Sequence, residues 1–211
     1  TPKEFAILLN EIDSLPSGKK FQKEILQILA LTFARIGDVC AMKWADIDLQ
    51  AKTWIFEPQK GKNRSDMVDS LIVPLAPQTI AILEQINDIT GGMEYVFYTG
   101  KRKNAPYADR QQINRTLNDL SMNKAGVGKN YCGNGYLHVH SPHGFRASAK
   151  TMLMERLGYS HLITEIQSGR SMPDAYGNTY NRMEAIKERV KMMNEWANYL
   201  DDIKAGKVDN I

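Results

Sequence analysis

Cysteine is scarce in this chain: only Cys40 and Cys132 are present, and neither belongs to a C-x-x-C pair. That excludes a disulfide framework and zinc-ribbon spacing, and it leads us to expect a reducing, cytoplasmic setting. Long apolar runs are missing as well. No segment approaches the roughly 18 uninterrupted apolar residues of a membrane helix, and the first residues lack the charged start, apolar run and small-residue cleavage site of an export signal. A soluble protein with no membrane partner is therefore expected. Charge of one sign is also in short supply: 27 Lys plus Arg against 24 Asp plus Glu leave a formal +3. Such a balance permits nucleic-acid binding without requiring it, so any DNA-binding face must come from where the charges sit.

What is present is enough apolar material for one core. Hydrophobic residues make up 43% of 211 positions, which suits a single domain, and neither an internal repeat nor a long linker interrupts them. Thr1, Pro2 and Glu4 read as a capping box opening a helix, with Phe5, Leu8, Leu9 and Ile12 at helical spacing. So abrupt a start suggests a domain cut from a longer protein. After a break at Ser14 to Gly18, a second helix is predicted from about Phe21 to Phe33, then a short one over Asp38 to Lys43.

Thr53 to Phe56 and Leu71 to Leu75 read as strands around the polar, basic tip Gln59 to Ser65, and Tyr95 to Tyr98 as a third short strand. Ile80, Leu83, Ile86 and Ile89 mark a helix stopped by Gly91 and Gly92. Ile113, Leu117 and Leu120 mark another, followed by a Gly-rich loop from Ala125 to Tyr136. Helical spacing resumes after His143, and a final amphipathic helix carries Ile186, Val190, Met193, Ala197 and Leu200. The expected fold class is mainly α with a small antiparallel β-sheet.

Four segments could carry chemistry. Pro142-His143-Gly144-Phe145-Arg146 sets a His and an Arg at helical spacing at a predicted helix start, where both can face one anion beside unpaired backbone N–H groups. Arg35 follows the apolar segment Ile25 to Ala34, so a buried helix delivers a cation to the edge of the core, with Asp38 as its simplest partner. Tyr180 lies in the polar run Asn178 to Arg182, where a tyrosine has no core to join. The basic tip holds Lys60, Lys62 and Arg64, and Lys101, Arg102 and Lys103 form a second cluster; each is a candidate contact for DNA phosphates or simply a solvated charge. His138, His140 and His143 lack a carboxylate or Cys to complete a metal set, so no metal or other cofactor is expected.

Taken in order, these segments resemble the catalytic domain of the tyrosine recombinase (phage integrase) family, most of all integrases of prophages and genomic islands. Leu31 to Asp38, continuing through Trp44 to Asp48, resembles the family's first-arginine region. Ile72 to Leu75 resembles the strand after its hairpin lysine, Pro142 to Arg146 its HxxR box, and Tyr180-Asn181-Arg182 its nucleophile segment. The resemblance implies Arg35, Lys62, His143, Arg146, Arg170 and Tyr180 as catalytic residues. Lys60 is the alternative hairpin lysine and Tyr176 the alternative nucleophile. Where the family carries a second His or a Trp, this sequence has Arg170, which can donate to a phosphate oxygen but cannot shuttle a proton near pH 7.

The resemblance implies a site-specific recombinase that cuts and rejoins DNA through a 3'-phosphotyrosine, for integration or excision of a mobile element. Its expected partners are double-stranded attachment sites, three further protomers in a DNA-bound homo-tetramer, and accessory DNA-bending proteins, within a bacterial cytoplasm and on the nucleoid. Residues 1–211 would be the catalytic domain alone, without arm-binding and core-binding domains, and would bind DNA weakly and salt-sensitively. Two alternatives stand beside this: a type IB topoisomerase-like nicking and closing enzyme, and a helical DNA-binding module whose catalysis is impaired by Arg170.

Overall fold

A computed structural model describes residues 1–18, 20–58, 70–100, 105–120, 139–170 and 182–207. The helices are α1 (Pro2–Asp13), α2 (Gln22–Thr32), α3 (Ile36–Cys40), α4 (Pro77–Thr90), α5 (Arg110–Asp119), α6 (Gly144–Glu155), α7 (His161–Gln167) and α8 (Arg182–Lys204). Among the described residues, one three-stranded antiparallel sheet, ordered β1 (Ile47–Asp48), β2 (Thr53–Phe56), β3 (Leu71–Pro74), lies between α3 and α4 in the chain. No helix among the described residues is long and apolar enough to cross a membrane.

The core is built around α2. Ile25, Leu26, Ile28 and Leu29 are fully buried, which a helix achieves only when neighbours cover it on every side. Helices α1, α4, α5, α6 and α8 supply that cover. Trp196 of α8 seals the centre: its ring lies edge-on to Phe33, and its indole N–H donates to the Ala30 carbonyl at 2.9 Å. Both ends of α2 are phenylalanines in the left-handed region, Phe21 at φ 53° and Phe33 at φ 40°. That conformation costs about 1–2 kcal/mol each, and full burial of a Phe ring offsets it by a similar amount. At Phe33 the turn redirects the chain so that Arg35 emerges at the rim of the core.

The capping box at Thr1 and Glu4 forms as the sequence predicts, and so do β2 and β3, paired Trp54 to Val73 and Ile55 to Ile72. Two expectations need correction, and two elements went unread. Tyr95 to Tyr98 is not a strand: its ends make only isolated bridges, Tyr95 to Lys43 and Tyr98 to Tyr107. Those tyrosines instead pack beside the turn that leads into α5, where Tyr95 meets Tyr107 at 4.9 Å between ring centroids. The helix α7 lies in a segment the sequence left unassigned, and β1 was not foreseen either. Finally, Val190 and Ile89, counted among the apolar stripes of their helices, face outward.

Candidate active site

The site grows from the αL turn at the end of α2. Past Phe33 the chain is extended, and Arg35 takes the N-cap position of α3 with its side chain 4.0 Å from the buried Asp38 carboxylate. Arg146 reaches toward the same turn from the first turn of α6. Its Nε donates to the Phe33 carbonyl at 3.0 Å and its Nη1 to the Ser168 carbonyl at 3.1 Å. One guanidinium is thus fixed between the turn that delivers Arg35 and the end of α7 that delivers Arg170.

The end of α7 is a Schellman motif. Gly169, at φ 78°, donates to the Ile166 carbonyl at 3.0 Å, and the Arg170 N–H returns to the Glu165 carbonyl at 3.2 Å. A glycine is required because the left-handed position carries no Cβ penalty there. The motif leaves the Ser168 carbonyl for Arg146 and folds Arg170 back along α7. Arg35, Arg146 and Arg170 then feel one another: burial lowers the Arg146 pKa to about 10, and the charges of Arg35 and Arg170 push it the same way, while Asp38 opposes them. At neutral pH the group stays protonated, so three cations face a common region with Asp38 and Glu165 as the nearby anions.

His143 is the N-cap of α6, exposed, three positions before Arg146. With Ile36 and Pro142 it forms one wall of a groove of about 510 Å³ whose other wall is α5, presenting Arg110, Gln111, Asn114 and Arg115. Ile36, the neighbour of Arg35 in the chain, lines this groove beside His143, while Arg35 and Arg146 are not among its lining residues. The helix start itself is already capped. The Gly144 N–H donates to the Ser141 carbonyl at 2.7 Å, and the Arg146 N–H to the His143 carbonyl at 3.1 Å. Of the backbone amides expected to be open to an anion, those of Gly144 and Arg146 are therefore bonded.

His140 plays another part. Its ring packs edge-on against Phe145 at 4.7 Å between centroids, and burial lowers its pKa to about 4. A Cβ on Gly144 would lie 2.9 to 3.2 Å from that ring, which explains the glycine inside the His143 to Arg146 box. No cluster of three His, Cys, Asp or Glu side chains suited to a metal exists among the described residues. Lys60, Lys62, Arg64, Lys101, Arg102, Lys103, Tyr176 and Tyr180 lie outside the described residues, as does His138.

Three residues that sequence reasoning missed complete the surroundings. Lys150, one turn beyond Arg146 on α6, and Arg170 both pair with the buried carboxylate of Glu165, Arg170 at 3.0 Å. Arg189 of α8, 5% exposed, donates to Gln167 Oε1 at 2.7 Å and to the Ile72 carbonyl of β3. Spacing could have flagged Lys150, four residues after Arg146 on the same helical face. Nothing in the pattern around Glu165 or Arg189 marks them.

Comparison with known proteins places this geometry. The IntB protein of Escherichia coli (strain K12) is 26% identical over 209 residues, covering 94% of this chain and 49% of IntB. The prophage integrase IntA of the same organism is 27% identical over 178 residues, covering 84% of this chain and 38% of IntA. The chain thus spans half or less of either relative. Among solved structures, the integrase from mycobacterium phage Brujita superimposes with a TM-score of 0.61 over 94% of this chain and 61% of its own, at 14% identity, a likeness of fold. The model of the phage integrase family matches residues 1–167, a span that holds Arg35, His143 and Arg146 and ends before Arg170 and Tyr180. This chain belongs to the phage integrase family.

Proposed function

We propose that residues 1–211 are the catalytic domain of a site-specific DNA recombinase that cuts and rejoins strands through a 3'-phosphotyrosine, with Tyr180 as nucleophile. The observation that carries the reading is Arg146, locked by two main-chain carbonyls between Arg35 and Arg170 with His143 at the adjoining groove. Like charges held this close are relieved by an anion, and a phosphodiester supplies one.

A phosphodiester resists attack because its charge repels nucleophiles and its alkoxide leaves poorly. Arg35 and Arg146 hold the non-bridging oxygens through paired N–H donors, and His143 and Arg170 add hydrogen bonds to the charge that builds in the transition state. The Tyr180 oxygen, from a phenol of unperturbed pKa about 10, forms the new bond to phosphorus as its proton departs to solvent. The bond to the 5' oxygen breaks, and Lys62 supplies the proton that oxygen needs. Because the ester is retained, a 5' hydroxyl of a second duplex reverses the step and rejoins the strands.

The substrates are double-stranded attachment sites, and integration or excision of a mobile element follows from exchange between two of them. Four protomers on DNA and accessory bending proteins complete the reaction in the longer protein, in the bacterial cytoplasm and on the nucleoid. Lys60, Arg64, Lys101, Arg102 and Lys103 contribute phosphate contacts. A second reading, a DNA-binding module with impaired catalysis, draws on Arg170, which is paired with Glu165 and cannot shuttle a proton.

Incubation with a nicked suicide duplex tests this. The parent chain and Tyr176→Phe are expected to form a covalent adduct, and Tyr180→Phe none. Duplex binding without adduct in the parent would favour the second reading, and relaxation of plasmid lacking an attachment site would favour a topoisomerase.

A further inference from the structure

Glu165 is the one carboxylate of α7, and its side chain is only 1% exposed. A buried carboxylate without partners costs several kcal/mol, so its surroundings must be arranged to compensate it. They are: Lys150 Nζ pairs with Oε1, Arg170 Nη1 lies 3.0 Å from Oε2, and His161 Nε2 lies 3.4 Å from Oε1. Lys150 is 20% exposed, His161 63% and Arg170 52%. The carboxylate is therefore the fixed element, and the guanidinium is the long, solvent-facing one that it restrains.

Two attachments act on Arg170 from this one residue. The Glu165 carbonyl takes the Arg170 N–H at 3.2 Å, closing the Schellman turn, and the Glu165 carboxylate forms an ion pair, without hydrogen-bond alignment, with the far end of the side chain. An arginine held at both ends loses the rotamer freedom that would otherwise let it swing into solvent. A guanidinium has five N–H donors, and an ion pair beside Nη1 leaves them for a phosphate acceptor.

The charge balance points the same way. Arg146 and Arg170 repel each other, and Lys150 has its pKa lowered by burial and then by both arginines. Asp38 serves Arg35, 4.0 Å away, and Glu165 serves the other end of the cation cluster. We propose that Glu165 is a positioning residue for Arg170, holding its guanidinium beside Arg146 and supplying the counter-charge that lets an arginine stand where the resemblance places a histidine. The proposal rests on the reading of this site as a phosphodiester-cleaving one. It makes the departure at Arg170 one half of a pair, with Glu165 as the other.

The test is a double-mutant cycle in the whole chain, reading the rate of adduct formation at saturating nicked duplex and the duplex Kd separately. In the parent, Glu165→Gln should slow adduct formation by about 10-fold or more and change Kd little, while in an Arg170→Ala background the same change should cost less than about 3-fold. Glu165→Asp should recover part of the rate. Equal losses with and without Arg170, or no loss at all, would overturn the proposal.

Should Glu165→Gln fail to fold by thermal melting, the cycle is run with Lys150→Met and Glu165→Gln together. That pair removes both ions and leaves no uncompensated buried charge. A parent that forms no adduct sinks the functional reading alone. The proposal is then read from the nitrogen-15 Nη resonances of Arg170 in free protein, distinct while Glu165 pins the group and averaged in Glu165→Gln. Identical spectra in the two proteins would overturn it.

Discussion

Arg146 and Arg189 are two guanidiniums whose pKa values are both lowered to about 10, in two regions with different purposes. Arg189 is sealed between α8, α7 and β3, and burial is the only cause of its shift. Arg146 keeps part of its surface open, and to the effect of burial it adds the repulsion of Arg35 and Arg170. The first arrangement is complete as it stands. On the proposed reading the second is relieved by an anion, and that contrast would separate an arginine that holds a fold together from one that waits for a ligand.

The largest effect should come from Arg146. Arg146→Met removes a transition-state donor and is expected to cut adduct formation on a nicked duplex by about 10²–10³-fold. Arg146→Lys should recover little, because an ammonium cannot bridge the Phe33 and Ser168 carbonyls as a fork does. A lysine that restored the parent rate would break the comparison, since charge alone would then suffice.

Arg189→Met should act on stability. It leaves the Ile72 carbonyl and Gln167 Oε1 without their donor, which costs about 1–3 kcal/mol in denaturant unfolding. The salt dependence of DNA binding should be unchanged. If Arg189→Met flattened that dependence as much as Arg146→Met, the two arginines would belong to one class after all.

The same division runs through two histidines. His143 is exposed on the groove, while His140 is packed against Phe145 with its pKa lowered from 6.5 to about 4 by burial. A histidine depressed in the folded state favours folding above its unfolded pKa and loses that advantage as pH falls through the folded one. Melting temperature should therefore decline as pH drops from 6.5 toward 4. His140→Gln should remove that part of the slope. An unchanged slope in His140→Gln would place the titrating group elsewhere.

Much of the fold was legible because its signals are local. A capping box at Thr1, alternation in Thr53 to Phe56 and apolar spacing in α2 each declare an element within a few residues. The site was legible in part for a different reason: Arg35, His143 and Arg146 sit in segments whose residue order carries the family resemblance. Glu165 and Arg189 were not, because their meaning lies in contacts across elements, α7 to α6 for Glu165 and α8 to β3 for Arg189. The misread strand at Tyr95 to Tyr98 teaches the converse. Aromatic and β-branched residues fit a pleated surface, but here their backbone pairing stops at isolated bridges, and the Tyr95 ring packs against a neighbouring turn.

The smallest expected effect extends the comparison to exposed arginines. Arg110 and Arg115 stand exposed on α5 across the groove from His143. An exposed guanidinium contributes to DNA binding mainly by displacing counterions, so Arg110→Ala and Arg115→Ala should each lower the slope of log Kobs against log salt by about 1 and weaken binding evenly across sequences. Stability should be untouched, because neither side chain covers core. Titrations of a fluorescent duplex at several salt concentrations read the slope directly. A slope equal to the parent's in both variants would remove α5 from the DNA-facing surface and confine phosphate recognition to the pocket around Arg146.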